Sequence, residues 1–141
     1  MNSVILSTAT RILVPLILVL SILVYWRGHN APGGGFIGGL LAATAFALVA
    51  KARGTAAARA ALRFRPLSVA AVGLGCALLS GVWGGLSYGA FLKGVWPFYD
   101  QGIPLGSIPL FDLGVYLVVL GSVCGILFAL EEAADPREED D

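Results

Sequence analysis

Three ionisable side chains lie within or beside long apolar stretches of this sequence: Arg11, His29 and Asp112. Charged groups are costly inside a membrane and often mark an ion or proton pathway there. A carboxylate such as Asp112 could bind a cation or a proton transiently at the mouth of such a pathway. His29 could relay protons near neutral pH, and Arg11 could form a buried ion pair or line a cavity. The three residues are therefore candidates for an ion path.

Each candidate also has a simpler structural explanation. Arg11 lies about two turns inside the first apolar segment, so its long side chain can extend to the lipid headgroups. Asp112 stands in the first turn of the last segment, where a carboxylate accepts hydrogen bonds from free N–H groups and interacts well with the helix dipole. His29, next to a turn, can be a hydrogen-bonding loop residue. Both kinds of explanation stay open on the sequence alone.

The composition predicts an all-α polytopic membrane protein. Hydrophobic residues make up 57% of the 141 residues and charged residues only 13%, whereas about a quarter of a soluble domain is charged. The mean hydropathy is +0.85. A transmembrane helix needs about 20 apolar residues, and the segments that are long enough lie at residues 4–26, 34–51, 67–92 and 110–130. They predict a single membrane domain over residues 1–141 that ends in an acidic tail. The zero net charge and the position of the basic residues beside helix ends argue against nucleic acid as a partner.

Basic residues predict the orientation of the four helices. The second connection holds Lys51, Arg53, Arg59, Arg63 and Arg65. Because loops rich in Lys and Arg stay on the cytoplasmic side, both termini are expected in the cytoplasm, and the loops at 29–35 and 93–109 are expected to face outward. Alanines in the basic connection predict a short helix along the inner surface, with its arginines on lipid phosphates. The acidic tail at 131–141 is either a solvated end or a docking segment for a basic surface of a partner.

The first two segments are joined by a run of helix-breaking residues: Pro32, Gly33, Gly34 and Gly35. Such a backbone can turn tightly at the membrane surface, line a polar cavity or let a neighbouring helix come close. Many other glycines recur four residues apart and so share a helix face, where they allow close packing. The predicted packing glycines are Gly38, Gly39, Gly81, Gly85, Gly89, Gly114, Gly121 and Gly125. Their neighbours could be helices of the same chain or of partner chains.

No segment carries a carboxylate near its centre, although a free-standing proton-coupled carrier usually needs one there. Cys76 and Cys124 have no metal-ligand spacing and are interpreted as small packing residues. The glycine run lacks the lysine and the hydroxyl of a phosphate-binding loop. We therefore expect no metal site, no cofactor and no catalytic residue, and a chain that works inside a larger assembly.

Several motifs resemble those of one known family. Residues 27–40 read RGHNAPGGGFIGGL and residues 111–121 read FDLGVYLVVLG. The TRILVP element at 10–15 and the glycine-rich segment at 73–85 fit the same pattern. Together they resemble the MnhB family, which comprises the B subunits of the Mrp-type (Mnh, Pha) multisubunit cation/proton antiporters, over about residues 11–130.

The resemblance implies an integral subunit of a prokaryotic cytoplasmic-membrane complex that exchanges Na⁺ for H⁺. The other Mrp subunits would be its partners, with membrane lipid around them. The chain would contribute to assembly of the complex and could also contribute to the ion path. The alternative is a purely structural scaffold, which holds together the ion-conducting subunits of a complex related to respiratory complex I. The scaffold hypothesis expects Gly→Leu at Gly85 or Gly121 to abolish assembly, while Asp112→Asn leaves transport intact.

Overall fold

The computed structural model describes residues 4–27, 34–89 and 107–134 of the chain. The described part is helical, and its elements are α1 (Val4–Arg27), α2 (Gly35–Arg53), α3 (Thr55–Leu62), α4 (Pro66–Tyr88) and α5 (Ser107–Ala134). Within it, four helical spans are long and apolar enough to cross a membrane. The predicted all-α polytopic membrane protein with four spans is therefore confirmed. His29, Pro32, Gly33 and the greater part of the loop predicted at 93–109 lie outside the described residues.

The last two long helices have bounds that differ from the predicted ones. α4 ends at Tyr88 rather than at residue 92, because Gly89 takes a left-handed conformation with φ 70°. The Gly89 N–H donates to the Gly85 carbonyl at 2.8 Å, which closes the last helical turn. This conformation favours glycine, since a Cβ would be strained there. α5 starts earlier and ends later than predicted, from Ser107 to Ala134.

The four long helices lie in a row in the order α1, α2, α5, α4. α2 packs between α1 and α5, and α4 packs against α5. No comparable contact joins α4 to α1 or to α2 in the described part of the chain. Helices α1 and α4 therefore form the two ends of the row, and in α1 only Thr10 and Ser21 are buried. In a membrane, such exposed apolar faces meet lipid or the helices of partner subunits.

Small side chains fill the space between α2 and α5. The buried core consists of Ala42, Ala43, Val49, Ala50, Ala58, Leu120, Cys124 and Phe128. The alanines come from α2 and α3, and the larger side chains come mainly from α5. The small side chains of α2 and α3 therefore pack against the larger side chains of α5. Cys124 is fully buried in this core and Cys76 is half-buried, and both are free thiols. The predicted packing role therefore fits the position of Cys124.

Two ion pairs fasten the far end of α5 to the basic connection. The Arg59 guanidinium donates to both carboxylate oxygens of Glu132, at 2.6 and 3.1 Å, and Lys51 contacts Glu131 at 2.5 Å. The Arg59 guanidinium also lies 5.3 Å from the ring centre of Phe128. The Glu132 side chain is half-buried and lies beyond the apolar part of α5.

These pairs add to the sequence interpretation. The alanine-rich helix predicted in the basic connection is present as α3, and its Arg59 binds a carboxylate of the same chain. A contact of this helix with lipid phosphates stays a prediction. The start of the acidic tail likewise docks on basic residues of its own chain through Glu131 and Glu132. Pairing with these cations offsets the repulsion between the two adjacent carboxylates near the end of α5.

Contact between α4 and α5 depends on glycines that let the two backbones touch. A Cβ built on Gly73 would lie 2.6 Å from the Gly114 carbonyl oxygen, and one on Gly114 would lie 2.5 Å from the Gly73 carbonyl oxygen. A Cβ on Gly121 would likewise overlap the Pro66 carbonyl oxygen and the Ala70 amide. Real Cβ atoms almost never come within 3.0 Å of such atoms. These glycines therefore serve packing inside the chain.

The other glycines predicted for packing on α4 and α5 have different surroundings. Gly81 is buried and Gly85 is half-buried. A Cβ on Gly125 would make an ordinary contact of 3.4 Å with a side chain of α4. Gly89 has no described atom within 4 Å of its Cβ position, and its role is to end α4.

We expect Gly73→Ala to destabilise the chain and Gly75→Ala to leave it nearly unchanged. The added methyl group at Gly73 would push against the backbone of α5, and overpacking of this kind costs about 1–3 kcal/mol. Gly75 lies on the same helix with no described atom within 4 Å of its Cβ position, so it is a matched control. The measurement is the midpoint temperature for loss of the folded chain in detergent extracts. Equal midpoints for the two variants would contradict the close α4–α5 contact.

Candidate functional site

A group of polar side chains lies where the end of α1 meets the beginnings of α2 and α5. We call Ser21, Tyr25, Asp112 and Tyr116 the polar cluster. Ser21 and Tyr25 stand one turn apart on α1, and Asp112 and Tyr116 stand one turn apart on α5, so each pair shares a helix face. Ser21 is fully buried, and the other three side chains are half-buried. The cluster is therefore largely withdrawn from the surface of the chain.

Hydrogen bonds and ring contacts link α1 to α5 within the polar cluster. The Ser21 hydroxyl donates to the Leu18 carbonyl at 2.7 Å and lies 2.9 Å from the Tyr116 hydroxyl. Because the single Ser21 proton is used by Leu18, the Tyr116 hydroxyl is the donor to Ser21. The Tyr25 hydroxyl donates to the Pro109 carbonyl at 2.7 Å. The Tyr25 and Tyr116 rings meet edge to face, with centres 5.8 Å apart and planes at 70°.

Glycines at the start of α2 allow the cluster to form. A Cβ on Gly38 would lie 2.8 Å from the Ser21 carbonyl oxygen and 3.1 Å from two ring carbons of Tyr116. A Cβ on Gly39 would lie 2.8 Å from the Tyr116 carbonyl oxygen. A side chain at Gly38 would therefore push α2 away from both α1 and α5, and one at Gly39 would push α2 away from α5.

Asp112 packs directly against the glycine run. A Cβ on Gly35 would overlap the Asp112 carbonyl oxygen, and one on Gly34 would lie 3.5 Å from Oδ2 of Asp112. Gly34 has φ 110° and donates its N–H to the Val24 carbonyl at 3.1 Å. This φ is one that side-chain-bearing residues rarely adopt. The Asp112 carboxylate also interacts electrostatically with Tyr25.

The structure therefore brings together some of the residues predicted for the site and separates others. Asp112 lies beside Gly34 and Gly35, while Arg11 is exposed on α1. Arg11 precedes Tyr25 by fourteen residues, which corresponds to about 21 Å along a helix. Arg11 is therefore not part of the polar cluster.

Three members of the cluster were missed by reasoning from the sequence. The sequence alone predicts that Tyr25 is an aromatic residue at the membrane interface. It predicts that Ser21 and Tyr116 are ordinary members of apolar membrane segments. The available signal was the four-residue spacing of Ser21 with Tyr25 and of Asp112 with Tyr116, which puts each pair on one helix face.

All the polar side-chain atoms of the cluster are oxygens. It contains one carboxylate and three hydroxyl groups, which can accept a proton or contact a hard cation. The described residues include no group of three or more His, Cys, Asp and Glu side chains that could hold a metal ion.

Comparison with known proteins gives the family of this chain. A family model described as a domain related to the MnhB subunit of Na⁺/H⁺ antiporter matches residues 5–125. The chain belongs to the MnhB family. This confirms the resemblance carried by the glycine run and by the motif around Asp112.

Relatives in the MnhB family include both short and long proteins. The chain is 38% identical over 136 residues to the Na⁺/H⁺ antiporter B subunit of Bacillus subtilis (strain 168), and the match covers 93% of this chain and 94% of that protein. It is 35% identical over 124 residues to the probable K⁺/H⁺ antiporter A/B subunit of Rhizobium meliloti (strain 1021), covering 85% of this chain and 12% of that protein.

A solved structure also resembles this MnhB chain. One chain in the structure of the Mrp complex from Dietzia sp. DQ12-45-1b superposes with a TM-score of 0.79 at 36% sequence identity. The match covers 91% of this chain and 14% of that longer one. The four-helix fold therefore occurs both as a separate MnhB chain and within a much longer polypeptide.

The Ser21–Tyr116 hydrogen bond should be measurable as a coupling between the two residues. We expect Ser21→Ala and Tyr116→Phe each to lower the stability by about 1 kcal/mol. The double variant should lose less than the sum, because both changes remove the same bond. The measurement is the thermal midpoint of the four chains of the cycle in detergent.

Thr44 provides the control for this cycle. Its hydroxyl bonds within α2, to the Leu40 carbonyl at 2.8 Å, so Thr44→Ala combined with Tyr116→Phe should be additive. Additive losses for Ser21 and Tyr116 as well would show that the α1–α5 hydrogen bond contributes nothing to stability.

Proposed function

We propose that this chain is the MnhB-type component of a multisubunit antiporter that exchanges a monovalent cation, Na⁺, for protons across a prokaryotic cytoplasmic membrane. The observation that carries the proposal is the nearly full-length match to the Na⁺/H⁺ antiporter B subunit of Bacillus subtilis, in a chain with four spans long enough for a membrane. The chain then acts as a component of a secondary transporter, not as an enzyme.

Its partners are the other subunits of the antiporter. The matches to about an eighth of two much longer chains support this assembly, because there the same four-helix unit is joined to other segments. The single row of helices supports it as well. Exposed apolar side chains cover α1 and α4, which leaves broad faces on which further membrane helices can pack.

Asp112 is the residue that we assign to the ion path of the complex. Its carboxylate is half-buried beside the glycine backbone and near the Tyr25 hydroxyl. An ionisable group in such a position inside a membrane protein is typical of ion and proton pathways. His29 lies in the sequence between α1 and the glycine run that packs against Asp112. It would exchange protons at the entrance of the ion path. Arg11 is too far along α1 to act with them and would serve the opposite membrane surface.

The orientation that we propose places both termini and the basic connection in the cytoplasm. It is supported by the Lys and Arg residues between residues 51 and 65, since such loops are retained on the cytoplasmic side. The polar cluster lies at the other end of α2 and would then stand near the outer surface, where external protons enter.

We expect Asp112→Asn to reduce Na⁺/H⁺ exchange on the order of tenfold or more, because a proton-transferring group commonly contributes this much to a rate. The variant is made in the otherwise intact operon, and exchange is measured in everted membrane vesicles, with a blot for assembly of the complex. Glu131→Gln is the matched control, because it removes a carboxylate from the far end of the same helix. It should retain exchange close to wild type.

The scaffold alternative makes the opposite prediction. It is favoured by the tight glycine contacts, and it requires normal exchange in Asp112→Asn and in His29→Ala. Normal exchange with normal assembly in both variants would remove the ion-path role and leave a chain that only holds other subunits. The scaffold alternative also requires that Gly121→Leu abolishes assembly of the complex. Exchange would be lost in that variant because the complex is not assembled.

A further inference from the structure

The basic side chains of the connection between α2 and α4 form two groups. Lys51 and Arg59 are paired with carboxylates at the end of α5. Arg53, Arg63 and Arg65 are exposed, and no ion pair joins them to a carboxylate in the part of the chain that the structure describes. At the surface of a membrane, exposed cations of this kind attract anionic headgroups.

An apolar groove begins at the second group. Phe64 stands between Arg63 and Arg65 in the sequence and is 70% exposed. Together with Ser68, Val69, Val72 and Leu117 it lines a groove of about 250 Å³ between α4 and α5. The surface of the groove is apolar. A large aromatic side chain at its mouth would be poorly placed in water and well placed against a hydrocarbon chain.

The shape of the groove indicates what can occupy it. Ser68 and Val72 are one turn apart on the same face of α4, so the groove follows that helix inward from the level of the arginines. Its volume is below the roughly 300–1,000 Å³ that is usual for pockets that bind drug-sized ligands. An apolar groove whose lining residue Phe64 stands between two exposed arginines complements an acyl chain that carries an anionic headgroup.

The beginning of α4 strengthens the attraction at the mouth. The helix starts at Pro66, and its N-terminal N–H groups have no side-chain cap. Uncapped N–H groups and the positive end of a helix dipole favour an anion. This field adds to the charges of Arg63 and Arg65 and does not by itself define the site.

We propose that the groove at Phe64 binds one acyl chain of an anionic phospholipid whose phosphate is held by Arg63 and Arg65. The proposal requires only that the chain spans a membrane, and it does not depend on the transported ion or on Asp112. The bound lipid would fill the side of the α4–α5 pair that the chain itself leaves open. The lipid would thereby hold α4 in place, which is the last helix of the row at the end opposite α1.

The test is photolabelling of the assembled complex in vesicles. The probe is phosphatidylglycerol with a photoreactive diazirine in one acyl chain, and labelled peptides are identified by mass spectrometry. We expect labels on Phe64, Val72 and Leu117, and competition by unlabelled phosphatidylglycerol but not by phosphatidylcholine. Arg63→Gln and Arg65→Gln should each lower the labelling about fivefold, as expected for loss of one cation at an anionic surface.

Two matched controls keep the test specific. Arg53→Gln removes an exposed charge from the same connection but not from the mouth of the groove, and its labelling should stay close to wild type. Val72→Trp fills the groove and should abolish the labelling. Leu79→Trp, at a position that is 64% exposed on the same helix, should not change it. A blot confirms that each variant is assembled into the complex.

Three results would overturn the proposal. One is equal labelling by a photoreactive phosphatidylcholine. Another is labelling by phosphatidylglycerol that does not respond to Arg63→Gln or Arg65→Gln. The third is the absence of labels from Phe64, Val72 and Leu117 in the assembled complex, which would show that a helix of a partner protein covers the groove. None of these results bears on the antiport function, which is measured separately with Asp112→Asn.

Discussion

Contact between helix backbones is the interaction on which this structure depends. In lipid, apolar side chains gain little by leaving their surroundings, so helices associate through close packing and hydrogen bonds. Here α5 carries Gly114 and Gly121 against α4, while α2 presents Gly35 and Gly39 to α5. At each of these positions a single methyl group would overlap backbone atoms of the neighbouring helix. The close packing of the row therefore depends on glycine at these places.

The polar cluster is a consequence of the same contacts. Because α2 comes so close at Gly38, the hydroxyl groups of Ser21 and Tyr116 reach each other from helices that barely touch elsewhere. Polar groups inside a membrane need such partners, since lipid offers none. The opposite end of α5 is held differently, by ion pairs such as that of Arg59 with Glu132, which lie beyond its apolar part. The central helix α5 is thus anchored at both ends by different forces.

A single row of helices also explains why this fold suits one component of a larger complex. Compact bundles bury their apolar faces within themselves, whereas the row leaves those of α1 and α4 exposed. The matches to short chains and to a small part of much longer ones fit such a unit, since it can be joined to neighbours on either side. Asp112 stands near the start of α5, whereas Phe64 precedes Pro66, which meets α5 at Gly121, more than two turns further along that helix. The proposed ion path and the proposed lipid headgroup site therefore involve different parts of α5.

Local features of the chain were enough to predict the four spans, the short helix in the basic connection and the family. The length of an apolar stretch, the alanine content and the spacing of a motif can each be determined from one segment of the sequence. The tertiary arrangement was needed to show that Gly73 meets Gly114, that Gly89 ends a helix instead of packing, and that Ser21 and Tyr25 of α1 meet Tyr116 and Asp112 of α5. Such contacts depend on the order of the helices in the row and on the rotation of each helix about its axis. Many arrangements share the same apolar pattern, so no single segment specifies which residues will touch.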